Sequence, residues 1–250
     1  MASRKAEKER LRQERLARER EAAAAARRRR LLRTYGTGGA ALAAIVVIVA
    51  VILVSGSSSS GNGSHPSKPV LHTASIKTLG HLRPAPPAGS LGGEGIPIPV
   101  GAPVLASRAS TASGNAVDGI QCNATEHALY HIHSRLTIFV DGSARQLPAG
   151  VGLTTSCLYW LHTHYPDGII HIESPVVRTF TLGDFFDIWG QPLGPDQVGP
   201  AKGKVTAIYN GKLYVGNPRN IPLGSHTQIQ LEVGKPLIAP EKVSFAGTGL

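Results

Sequence analysis

Three of the chain's ten histidines and two carboxylates fall within Leu161-His-Thr-His-Tyr-Pro-Asp-Gly-Ile-Ile-His-Ile-Glu173, and this stretch constrains the fold more than any other. Tyr165-Pro166-Asp167-Gly168 suits a tight turn, because Pro presets φ at the second position and Gly is favoured at the fourth. Counting outward from that turn sets His164 opposite Ile169, His162 opposite His171 and Trp160 opposite Glu173. Side chains alternate between faces along a strand. His162, His164, His171 and Glu173 therefore share one face, and Leu161, Thr163, Ile170 and Ile172 share the other. The second face is mostly apolar, as in a half-buried antiparallel pair. A three-residue turn would slip the register and split the histidines between faces.

The rest of the chain is organised around an export signal. Residues 1–35 form a basic tail: thirteen Lys or Arg and five Glu before Tyr35 supply most of a formal net charge of +10. Charge confined to one tail without aromatic residues does not make a nucleic-acid surface. Residues 36–54 carry no charge, and Ala40 to Val54 is continuously apolar. At a rise of about 1.5 Å per residue this run spans roughly 28 Å, enough for a bilayer core. Arg27 to Arg30 and Arg33 precede it, and no Lys or Arg follows until Lys68. The positive-inside rule then predicts a single-pass signal anchor in the cell membrane, with a cytoplasmic N-terminus and an exported C-terminal part. A cleaved signal peptide is the rival, but its basic region would be much shorter. Residues 55–114, rich in Ser, Gly, Pro and Ala, read as a flexible linker, with Ile96 to Val100 able to dock on the domain.

Residues 115–250 are long enough for one domain with its own core. The pattern is mostly β with one short helix, compatible with a sandwich, a partly open barrel or a β-grasp-like roll. Tyr130 to Val140 alternates, and Asp141-Gly142 is a hairpin signal leading to a return over Arg145 to Ala149. Tyr159 to His164, Ile169 to Glu173 and Val176 to Phe180 read as further strands. Thr181 to Gly190 reads as a helix capped by Thr181 and stopped by Gly190. Lys204 to Tyr209 and Leu213 to Val215 flank Asn210-Gly211, Ile221 to Gly224 reads as a loop, and Thr227 to Val233 as a last strand.

The only cysteines, Cys122 and Cys157, lie in this domain and are expected to form a disulfide in an oxidising compartment. Six of the ten histidines fall in residues 127–171. His131/His133 and His162/His164 are His-x-His pairs, and His171-x-Glu173 repeats the spacing with a carboxylate. On a strand such pairs point the same way, so two imidazoles can converge on one ion. The alternative is a polar face held by hydrogen bonds. The candidate ligands are His131, His133, His162, His164 and His171, with Glu173 as ligand or orienting group; His127 is set apart as structural. Imidazole with carboxylate suits a borderline divalent metal, Zn(II) or Cu(II) first. Met1 is the only methionine, so with the thiols oxidised nothing soft remains for Cu(I). Ligand imidazoles must be deprotonated, and binding by unperturbed imidazoles would weaken below pH about 6.5.

The string Leu161 to Pro175, followed by Phe180-Thr-Leu-Gly-Asp-Phe-Phe-Asp-Ile-Trp-Gly190, resembles a family of uncharacterised exported or membrane-anchored bacterial proteins. His131-Ile-His133 and Asn217-Pro-Arg-Asn-Ile-Pro222 resemble it too, so the likeness covers roughly residues 120–245. It implies an exported setting and a bacterial origin, and assigns no catalytic residue. The leading reading is a membrane-anchored extracytoplasmic protein that binds a divalent metal, for handling or sensing. A metalloenzyme using the same site is a second reading, although the sequence has no HExxH, G-x-S-x-G or phosphate-binding glycine loop. A third is a metal-free adhesion or assembly module presenting histidines with Tyr159 and Trp160.

Overall fold

The computed structural model describes residues 71–99, 101–108, 113–127 and 129–250. The expected basic tail, membrane span and first part of the linker lie outside them. Among the described residues no helix is long and apolar enough to cross a membrane. The strands are β1 (Thr73–Ala74), β2 (Cys122–Asn123), β3 (Tyr130–Val140), β4 (Ser143–Arg145), β5 (Leu158–Tyr159), β6 (Leu161–His162), β7 (Ile169–Ser174), β8 (Phe180–Thr181), β9 (Leu193–Gly194), β10 (Gln197–Val198), β11 (Ala201–Lys202), β12 (Val205–Tyr209), β13 (Lys212–Tyr214), β14 (Pro222–Leu223) and β15 (Thr227–Val233). Among the described residues one α-helix, α1, runs over Leu182–Trp189.

Eight strands make one sheet in the order β1-β13-β12-β15-β3-β7-β6, with β4 paired to β3. Its central pair, β3 and β15, is parallel, from Ser134 opposite Thr227 to Val140 opposite Val233. On one side β3 pairs antiparallel with β7, and on the other β15 pairs antiparallel with β12. The long connection from β3 to β15 carries α1, as a parallel pair requires.

Period-2 alternation decides what each face of β3 meets. Leu136 and Ile138 join Ile170, Ile172, Leu161, Ile229 and Leu231 in the main core. Helix α1 covers that core with Phe185, Phe186, Ile188 and Trp189, all fully buried. Each such side chain removed from water contributes about 1.5–3 kcal/mol. The helix begins where expected. Thr181 Oγ1 accepts the Asp184 N–H and the Asp184 carboxylate accepts the Thr181 N–H, while Gly190 adopts the left-handed conformation that ends it. Asn210-Gly211 and Asp141-Gly142 both take positive φ, as two-residue hairpin turns demand.

Four local expectations are corrected. The return after Asp141-Gly142 is β4, Ser143–Arg145, rather than Arg145 to Ala149, because the two-residue turn sets Ser143 directly opposite Val140. Tyr159 to His164 is not one strand: β5 pairs with β2, and β6 pairs with β7. Val176 to Phe180 keeps only Phe180 in a strand, and Val176 and Val177 are exposed without a partner strand. Pro222–Leu223, read as loop, pairs with β8.

The described part of the linker is not a free tether. β1 pairs with β13, the Arg83 N–H donates to the Leu237 carbonyl, and Ile96 is fully buried. The described residues accordingly belong to one unit. β1 extends the edge of the sheet, while the stretch around Ile96 and the C-terminal segment dock on its second face. There Gln230 Oε1 accepts the Glu241 N–H and Gln228 Oε1 accepts the Val243 N–H. Side-chain amides of β15 thus satisfy backbone that a neighbouring strand would otherwise pair. This second face of β3 carries His131, His133, Arg135 and Thr137, and its cover buries the last three.

Candidate metal centre

The register counted from the turn is the one observed at its core: Leu161 lies opposite Ile172, and His162 opposite His171. On the other side of β7, His133 also lies opposite His171, and His131 opposite Glu173. Three adjacent strands thus bring His162, His171 and His133 into one row across the sheet, with Glu173 and His131 in the next. The turn that sets this register needs Gly168: its φ is +84°, and a Cβ there would overlap the Leu136 carbonyl. The ladder stops at His162, since Thr163 turns its backbone to Val151 and Gly150. His164 nevertheless returns to the cluster, with its Nε2 at 3.3 Å from His162 Nε2.

All six predicted side chains meet. They form two groups that could hold a metal ion: His131, His133, His171 and Glu173, and His162, His164, His171 and Glu173. Within each group the donor atoms lie within 4.8 Å of one another. His131 Nε2 is 3.1 Å from His133 Nε2 and 3.2 Å from Glu173 Oε1, and His171 Nδ1 is 3.3 Å from the same oxygen. Bonds of about 2.0–2.1 Å to one tetrahedral ion put neighbouring donors roughly 3.3 Å apart. The spacing matches.

Burial and hydrogen bonding fix the state of these groups. His162 is fully buried, and its Nδ1–H donates to the Tyr159 carbonyl at 2.8 Å. Its Nε2 lone pair is therefore turned into the cluster. A second-nitrogen hydrogen bond to a carbonyl is the usual support of a metal-ligating imidazole. Burial pushes His162 down to about 4, and His133 likewise, with help from the charges of His171 and His131. Both are neutral donors at pH 7. His171 goes the other way. Burial alone lowers it, but the hydrogen bonds and charges of Glu173 and Glu94 outweigh that and hold it up to about 9. Burial would raise Glu173, yet the His171 hydrogen bond and the neighbouring imidazoles hold its carboxyl below its ordinary value.

Glu94 is the residue the sequence did not reveal. His171 Nε2–H donates to its Oε1 at 2.7 Å. Glu94 sits in the tight turn Gly92-Gly93-Glu94-Gly95, closed by the Gly92 N–H to the Ile96 carbonyl and the Gly95 N–H to the Gly92 carbonyl. A Cβ on Gly93 would overlap the Tyr165 ring, and one on Gly92 would crowd Asp167. These glycines let the turn lie flat against the hairpin and deliver the carboxylate. Asp167 caps its own turn: its Oδ1 accepts the Ile169 N–H. His127 bonds Asn123 outside the cluster.

Cys122 and Cys157 are disulfide-bonded, 5.4 Å apart at Cα, so neither offers a thiolate. The cluster's donors are nitrogen and oxygen only. Tyr159 and Trp160 are buried, and Trp160 Nε1–H donates to Asn123 Oδ1. They present no outward surface of the kind an adhesion module would need. Solvent reaches the cluster along the edge formed by His131 and His164, whose side chains are 44% and 32% exposed.

Fold and site together define a mostly β domain, with one short helix and a disulfide, whose histidine–carboxylate cluster could hold a metal ion. Comparison with known proteins adds no relative: no family model, curated protein or solved structure matches the chain.

Proposed function

We propose that this protein is a single-pass membrane-anchored protein whose extracytoplasmic domain binds a divalent metal, Zn(II) or Cu(II), through the histidine cluster. Handling or sensing of that metal is the role such a site suits. The observation that carries the reading is His162: fully buried, neutral, fixed by a backbone carbonyl, with its Nε2 turned into the cluster 3.3 Å from His164 Nε2 and 3.9 Å from Glu173 Oε1. The N/O donor set, with no soft ligand, favours the borderline divalent ions. Export and anchoring rest on the basic tail, the uncharged run 36–54 and the disulfide. The strand order, with parallel β3 and β15 central and antiparallel strands outside, fits the β-grasp-like arrangement.

The test is metal content by mass spectrometry on protein purified from an oxidising compartment without a histidine tag. The expected result is near-stoichiometric metal, lost in a His162→Ala/His164→Ala variant that keeps its disulfide. Protein that carries no metal and gains no thermal stability from added Zn(II) or Cu(II) would refute the reading.

A further inference from the structure

The cluster holds more donors than one ion can use. Two four-residue groups share His171 and Glu173, but His131/His133 belong to one and His162/His164 to the other. The reason is the sheet. His133 and His162 both pair with His171 from opposite sides. Two interstrand spacings, roughly 9.6 Å, therefore separate their Cα atoms. A single tetrahedral ion, with donors about 3.3 Å apart, would take one group and leave the other pair of imidazoles unused.

Glu173 lies between the two pairs. Its Oε1 is 3.2 Å from His131 Nε2 and 3.9 Å from His162 Nε2. Its Oε2 is buried and has no hydrogen-bond partner. A buried carboxylate oxygen without a partner is costly unless something cationic meets it. Both pairs thus face the same oxygen, Oε1, and a carboxylate oxygen placed between two imidazole pairs can bridge two ions about 3.5–4 Å apart.

We infer that the site is binuclear: one divalent ion on His131 and His133, a second on His162 and His164, with the Glu173 carboxylate bridging them. This rests on the metal-binding reading and adds its stoichiometry. Each ion then has two imidazoles and the shared Glu173 carboxylate, the minimum protein set for an open divalent site. His171 completes one of the two spheres. A neutral imidazole ligates one ion only, so its Nδ1 faces the cluster while Nε2–H stays on Glu94.

The experiment is titration of the purified, disulfide-intact, tag-free protein with Zn(II) alone and, separately, Cu(II) alone. Metal retained after dialysis is counted per chain, and the Cu(II) form is examined by electron paramagnetic resonance. The expected result is two equivalents of either metal, with a coupled, intensity-depleted copper signal at two equivalents. His131→Ala and His164→Ala sit on the exposed edge, so they perturb folding least. Each should weaken one of the two binding steps at least tenfold and leave the other in place. One equivalent in the wild type, weakened by both variants, would overturn the binuclear inference while leaving the metal site standing. Two equivalents with two uncoupled copper signals would overturn the Glu173 bridge. No retained metal would sink the metal-binding reading itself.

Discussion

Glu232 gives the sharpest test of how the second face of the sheet is buried. It is 1% exposed on β15, and its Oε1 accepts the Gln230 side-chain N–H at 2.6 Å and the Ile238 backbone N–H at 3.2 Å. Burial raises its carboxyl from 4.5 to about 7; the two hydrogen bonds oppose the rise and the charge of Glu241 adds to it. The folded value lies above the unfolded one. Between pH 4.5 and 7 the folded state therefore binds the extra proton, and stability falls as pH rises through that window. A difference of about 2.5 pH units at about 1.4 kcal/mol each gives a swing on the order of 3 kcal/mol. In a unit of this size that is roughly 6–12 °C in Tm.

Glu232→Gln imitates the protonated carboxyl and keeps an oxygen for both donors. Urea unfolding of variant and wild type, run in parallel from pH 4 to 8, isolates this group, because the other titrations cancel in the difference. Equal stability near pH 4 and a variant more stable by about 3 kcal/mol at pH 8 is expected. A flat difference, or a variant less stable at pH 8, would show that Glu232 is not held neutral under the C-terminal segment.

Two further outcomes follow from particular contacts. Opening the Cys122–Cys157 bridge by double substitution to Ser frees a loop of 35 residues; the chain-entropy model puts the loss at about 4 kcal/mol, measurable by urea unfolding. Glu94→Ala removes the acceptor of the His171 Nε2–H and should lower the His171 pKa from about 9; a histidine titration followed by NMR that does not move would place Glu94 outside the site.

The hairpin, its register and the convergence of six donors were legible because they rest on local rules. A two-residue side-chain period and a Pro-Asp-Gly turn are both written in consecutive residues. The same holds for Thr181, Asp184 and Gly190 around α1, and for Asn210-Gly211. What was not legible depends on partners distant in the chain. Val176 and Val177 have strand-forming side chains, but alternation specifies an extended chain and not a neighbour to pair with. The odd positions of β3 look like a solvent face until residues 92–99 and 237–243 cover them. Glu94, alone among glycines, has no periodicity, and only its docking makes it part of the site. The parallel pairing of β3 with β15 is likewise a choice between long-range alternatives that neither strand encodes alone.

His171 shows how the cluster stays assembled when no ion holds it. Its imidazole meets Glu94 through Nε2 and Glu173 through Nδ1, so a proton makes it the cation that two buried carboxylates require. A metal ion would fill the same electrostatic place, and a ligating imidazole must give its proton up. His133 and His162, pushed down to about 4, have none to release at pH 7. Unperturbed imidazoles would make the affinity flat above pH 6.5. With His171 held up to about 9, the affinity should instead fall about tenfold per unit as pH drops from 8.5 to 7, with close to one proton released per chain. Competition with a chelator measures the first quantity, and calorimetry in buffers of different ionisation enthalpy the second. An affinity independent of pH over that range, with buffer-independent heats, would mean that His171 is neutral before the ion arrives or never ligates it.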